Sequence, residues 1–140
     1  MLSVNLLAVF AAAVSNFMIG FLLHGPLFGK LWMRLANIHP TGSEKMSDMW
    51  PKLVQNFLVH LVFVYAFAVA YAIAKTSLVM GGGSILNGIK LAFLVWIGFV
   101  CTTTSIEVIW MGRSYKLWLY EAACSLAACI AMGAIIAAGS

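Results

Sequence analysis

Six polar side chains interrupt otherwise apolar stretches of this 140-residue chain: His24, Asn56, His60, Thr103, Glu107 and Glu121. Two histidines and two carboxylates are residue types that bind a divalent metal or handle protons, and an ionisable group set in apolar sequence has to face protein or water. Their spacing weakens the metal reading, because no HxxxH or ExxH pair places two ligands on one helix face. Each does have a local polar companion: Asn56 lies four residues before His60, and Thr103 and Thr104 lie four and three before Glu107. Nucleophilic chemistry finds less support. An intramembrane hydrolase requires a Ser or Asp with a placed base, and nothing here supplies a convincing pair. No GxSxG, Walker-type loop, HExxH or GxGxxG occurs, and Gly81, Gly82 and Gly83 lack the following Lys of a phosphate cradle. The chain reads as a non-enzyme, with no catalytic residue, cofactor or metal site assigned.

The elements that must position these residues follow from composition. Charged residues make up 9% of the chain and apolar ones 64%, with a mean hydropathy of +1.02, whereas about a quarter of a soluble chain is charged. That excludes a soluble globular domain, a disordered tail, a disulfide scaffold and a free-standing nucleic-acid module. The expected fold is an all-α polytopic membrane protein, one domain over residues 1–140. A helix of about 20 apolar residues spans a bilayer. Four runs qualify: Met1 to Leu23, Leu53 to Ala74 behind Pro51, Ile85 to about Met111 with Ser84 as N-cap, and Tyr115 to Ala138. No basic stretch precedes the first run, so it reads as a retained helix rather than a cleaved signal. Cys101, Cys124 and Cys129 lie in apolar runs without CxxC spacing and read as small buried hydrophobes.

Between the first two spans, Leu27, Phe28, Leu31, Trp32, Leu35 and Ile38 recur at helical spacing, with Lys30 and Arg34 on the other side. This predicts a short interfacial amphipathic helix, Trp32 at the interface and the two cations toward anionic lipid headgroups; the alternative is a helix packed against the spans. The net charge of +4 has the same source. Lys30, Arg34, Lys45, Lys52, Arg113 and Lys116 fall on one side of the membrane and only Lys75 and Lys90 on the other. The bias puts both basic loops in the cytoplasm and both termini outside.

Depth follows from the 1.5 Å rise per residue: His60 lies about 12 Å past Lys52, Glu107 about 9 Å before Arg113, and Glu121 about 7 Å after Lys116. These residues, with His24 closing from the first helix, outline a polar layer in the cytoplasmic half. The plainer reading pairs both carboxylates with Arg113 or Lys116 and hydrogen-bonds His60 to a neighbouring helix. Asn16 reads as a helix–helix hydrogen-bond point. Ala66, Ala70, Ala74 and Ala123, Ala127, Ala131 form two small-residue seams, facing either the same chain or a second copy. Ile19, Gly20, Phe21 recurs at Ile97, Gly98, Phe99, and Lys30, Leu31, Trp32 recurs at Lys116, Leu117, Trp118, which would fit a parallel duplication, although three-residue matches arise as readily by chance.

The run Gly25, Pro26, Leu27, Phe28, Gly29, Lys30, Leu31, Trp32, with Trp96, Ile97, Gly98, Phe99, then Thr102, Thr103, and finally Gly112, Arg113, resembles the small bacterial membrane proteins grouped as the domain of unknown function 1761 family. His24 departs from that pattern, where an aromatic residue is expected. The resemblance implies a compact four-helix membrane fold and identifies no active site. The sequence thus favours a structural or accessory unit of the bacterial cytoplasmic (inner) membrane that self-associates or joins a larger complex, with no nucleic-acid partner. The alternative is a small transporter or channel for protons, a metal ion or a small solute, but the outward halves of the helices are almost wholly apolar and offer no continuous polar path.

Overall fold

The computed structural model describes residues 3–140. The described residues form helices and connecting turns: α1 (Leu6–His24), α2 (Gly29–Leu35), α3 (Met46–Ala74), α4 (Ile85–Val95), α5 (Thr102–Met111) and α6 (Tyr115–Ala138). A π-helical turn, Trp96–Cys101, joins α4 to α5, so the two make one continuous span from Ile85 to Met111. Among the described residues four helices are long and apolar enough to cross a membrane, and the protein is a multi-pass membrane protein.

Local chemistry sets the helix ends. Asn5 caps α1, its Oδ1 accepting from the amides of Leu7 (3.0 Å) and Ala8 (3.2 Å); Ser84 and Ser114 do the same for Asn87 and Leu117. α3 begins seven residues earlier than its apolar run, and Pro51 lies inside it rather than in its first turn. The extension is exposed throughout, so its polar residues lose no water, and Asp48 in the first turn suits the positive helix end. α2 is shorter than the predicted amphipathic stretch, because Pro26 to Phe28 instead wind tightly out of α1.

The predicted apolar face of α2 is divided. Leu31, Trp32 and Leu35 are half-buried, while Leu27, Phe28 and Ile38 remain exposed with Lys30 and Arg34. The helix rests on α1 and α6 with one edge, as the packed alternative has it, and leaves the other free. The recurring tripeptides do not fall in matching elements. Lys30 to Trp32 lie in α2, whereas Lys116 to Trp118 open α6; Ile19 to Phe21 are regular helix, whereas Ile97 to Phe99 are in the π-helical turn.

The core sits around α6, which packs against α1 on one side and α4 on the other; α3 packs mainly on α1. Tyr71, Met132, Val64 and Asn16 are the largest fully buried side chains. Cys101, Cys124 and Cys129 are free and buried, as expected. The two alanine seams do not serve this core: Ala66, Ala70, Ala123 and Ala127 are exposed, and the buried face of α6 carries Cys124, Ala128, Cys129, Met132, Gly133, Ile136 and Ala137 instead.

The closest approach lies between α4 and α6. A Cβ added at Gly88 would fall on the Gly133 carbonyl and lie 2.6 Å from the Ala137 methyl; one added at Gly133 would lie 2.8 Å from the Ala92 methyl. With no hydrophobic effect between helices in lipid, such small-residue contact is how helices gain dispersion energy. Replacing Gly88 or Gly133 with Ala should each cost about 1–3 kcal/mol by overpacking, with the double variant costing less than the sum because one displacement relieves both clashes. Denaturant titration of the purified protein in detergent micelles measures this, and unchanged midpoints would refute the glycine key.

Candidate functional site

Where α5 gives way to α6, Gly112 adopts a left-handed conformation (φ +66°), which glycine reaches without a Cβ clash and which lets the chain turn within three residues. The Arg113 amide donates to the Glu107 carbonyl at 3.3 Å, closing the end of α5. This turn puts the Arg113 side chain between two carboxylates. Its Nη1 donates to Glu107 Oε2, and its Nη2 lies 2.9 Å from Oε1 and 2.7 Å from Oε2 of Glu121. The three side chains are 32%, 44% and 29% exposed for Arg113, Glu107 and Glu121. A planar guanidinium can hold two carboxylates at once, where an ammonium would act as a single point charge.

Aromatic residues fix the surroundings. Trp118 Nε1 donates to Thr104 Oγ1 (3.0 Å), linking α6 to α5 just above the ion pairs, and the Trp118 ring stacks on Tyr115 with centroids 5.7 Å apart. One residue before Glu121, the Tyr120 hydroxyl donates to the Leu23 carbonyl at the end of α1. His24 stands edge-on to both Trp32 and Tyr120, at centroid distances of 5.4 and 5.7 Å. Its Nδ1 lies 2.9 Å from the Gly20 carbonyl, which can only accept, so Nδ1 carries the proton. The indole N–H of Trp32 is buried without an acceptor among the described residues.

The six predicted residues do not form one layer. Glu107 and Glu121 come together on Arg113, as the plainer reading of those carboxylates had it, and His24 joins the same end through Tyr120. Thr103 turns away from Glu107: its hydroxyl bonds back onto its own helix, 2.6 Å from the Phe99 carbonyl and 3.2 Å from that of Val100. Asn56 is exposed and His60 half-buried, and neither has a hydrogen-bond partner among the described residues. α3 packs against neither α2 nor α5. Phe57, one turn before His60, packs edge to face on Phe10 and Phe17. Phe17 is seven residues from His24, about 10 Å along α1, so His60 lies well away from the carboxylates.

Asn16, the buried amide, donates to the Met132 sulfur at 3.9 Å and leaves its Oδ1 unpartnered. Among the described residues no three His, Cys, Asp or Glu side chains are placed to hold a metal ion. A small crevice of about 10 Å³ lies between the far ends of α1, α3 and α6, lined by Asn5, Ala8, Ala68, Ala72, Ile136 and Ser140 among others, room for one water.

Sequence reasoning named Arg113 only as a counter-ion, one of two, and did not foresee Trp96, Trp118 or Tyr120 as bridges. The signal for Trp118 was the polar run Thr102 to Ser105, which offers an acceptor to an indole N–H one helix away, whereas Trp96 donates to the Ala122 carbonyl and Ser125 Oγ on α6. Replacing Arg113 with Gln should cost about 1 kcal/mol, since each partly exposed pair contributes only a fraction of that. Combining it with Glu121→Gln should cost less than the sum of the two, a coupling that a double-mutant cycle on thermal stability reads directly. Strict additivity would show that the guanidinium does not hold the two helices together.

No curated protein and no solved structure matches the chain. The family model described as a protein of unknown function (DUF1761) matches residues 7–137, from the first turn of α1 almost to the end of α6. The chain belongs to the DUF1761 family.

Proposed function

We propose that this protein is a non-enzymatic structural or accessory unit of the bacterial cytoplasmic membrane, one that self-associates or joins a larger membrane complex. The observation that carries this reading is the outer face of α6. The helix with the most neighbours inside the chain still leaves Leu119, Ala123, Ala127 and Ile130 exposed in one stripe, and α3 repeats the arrangement with Val62, Ala66, Ala70 and Ile73. Small residues flanked by larger ones let a second helix approach closely in lipid. The interior supports it too. Asn16 is the one buried polar residue recorded among the described residues, and the two carboxylates within the spans are neutralised in part by Arg113.

The protein lies with both termini outside and both basic loops in the cytoplasm, a placement that rests on the six-to-two distribution of Lys and Arg. The exposed Lys30 and Arg34 of α2 meet anionic headgroups there, with Trp32 at the interface.

Two measurements test the proposal. Energy transfer between donor- and acceptor-labelled copies in liposomes should reveal association, and the Ala123→Leu, Ala127→Leu variant should weaken it by roughly tenfold; transfer that is absent, or untouched by the variant, would refute self-association through α6. For the topology, single cysteines introduced at Ser77 or Ser140 should react with a membrane-impermeant maleimide in whole cells while one at Thr41 should not, and the opposite pattern would invert the placement.

A further inference from the structure

α3 is anchored to the rest of the molecule by its second half. Its buried residues, Val64, Phe67, Ala68, Tyr71 and Ala72, all lie there, whereas every residue from Met46 to Lys52 is exposed. Two helical turns with nothing to pack on are marginal by themselves. The helix nonetheless runs back to Met46, well before its apolar run begins.

The free side of α3 has an ordered pattern. Asp48, Lys52, Gln55, Val59, Val62 and Ala66 are all exposed, and they follow one another at steps of four, three, four, three and four residues. Ile73, also exposed, stands one heptad after Ala66. At about 100° per residue the six fall within about 80° of the helix surface. Val59 and Val62, 66% and 71% exposed, are the most exposed large apolar side chains of α3, so the seam runs down the middle of the free side. Alternating steps of four and three keep two helices in contact along a left-handed coil, with β-branched residues suited to its interior.

The polar end of the seam says what fits it. Neither Asp48 nor Lys52 has an ion-pair partner among the described residues. Copies of one chain enter a bilayer in the same direction, so two α3 helices would meet in parallel, each seam residue opposite its own counterpart. Gln55 then faces a second Gln55, and a side-chain amide both donates and accepts. Helical side chains lean toward the N-terminus of their own helix. Lys52 of each copy thereby reaches back to the level of Asp48 on the other, and the charges complement one another across the pair.

We propose that α3 is a docking face for a second copy of this chain, the two helices pairing in parallel along the seam from Asp48 to Ala66. The proposal rests on the self-association reading and gives it a second face beside α6.

Oxidative cross-linking of the full-length protein in liposomes tests the pairing. The native cysteines are buried and set the baseline. Val59→Cys and Val62→Cys should form disulfide-linked dimers at least about tenfold faster than Val54→Cys and Tyr65→Cys, which are exposed but off the seam, because thiols held face to face react at a high effective concentration. Adding Asp48→Lys to Val59→Cys should slow the reaction by about three- to fivefold, and adding Lys52→Asp as well should restore it. Seam-specific linking with charge rescue supports the pairing. Equal rates on and off the seam, no linking, or a charge-swapped variant no faster than Asp48→Lys overturns it. Energy transfer between native copies separates the two failures: if it persists, only the α3 face is lost, and if it is absent, self-association falls with it.

Discussion

A helix in lipid has no water with which to satisfy its backbone, so every departure from the i to i−4 ladder needs a donor supplied from within the chain. Several polar side chains of this protein's spans donate to backbone carbonyls. Thr102, Thr103 and Thr104 donate to the carbonyls of the π-helical turn, and Trp96, Tyr71 and Tyr120 reach across to the carbonyls of Ala122, Ser84 and Leu23. The ones that suggested a polar layer are largely engaged in holding irregular backbone and helix junctions.

Packing divides the labour differently. α1 and α4 flank α6 through residues no larger than Ala at their closest points, and larger side chains such as Met132, Tyr71 and Val64 fill what remains. Tightness is therefore concentrated in the half of the molecule where Gly88 meets Gly133 and where Asn5 Nδ2 donates to the Gly139 carbonyl at 2.8 Å. The other half, with α5 and the first turns of α3, is held by aromatic edges and ion pairs. One end is set by sterics and the other by exchangeable polar contacts.

Much of this was legible beforehand because it depends on composition and local signals. Apolar length alone marked the four spans, Ser84 sits where a cap was expected, and the two carboxylates lay within reach of Arg113. The misreadings share a cause. Shared helical spacing made Thr103 a companion of Glu107, but spacing cannot tell that the hydroxyl turns back to the Phe99 and Val100 carbonyls of the preceding π-helical turn. Depth counted from Lys52 brought His60 near the carboxylates, yet α3 starts at Met46 and leans on α1, which separates His60 from α5. Which alanines face inward likewise depends on the rotation of each helix, and small residues alone leave that open.

The tryptophans are unevenly distributed. Trp32, Trp50, Trp110 and Trp118 all lie at the end bearing the basic loops, Trp96 lies mid-span, and the turn between α3 and α4 instead exposes Leu78 and Val79 beside three glycines. Indole rings favour the headgroup boundary and resist moving either way along the membrane normal. The protein is moored from one side, like a pile driven from a single bank. In a bilayer thicker or thinner than its spans, the adjustment falls on the glycine turn, which carries no tryptophan to hold it at a fixed depth.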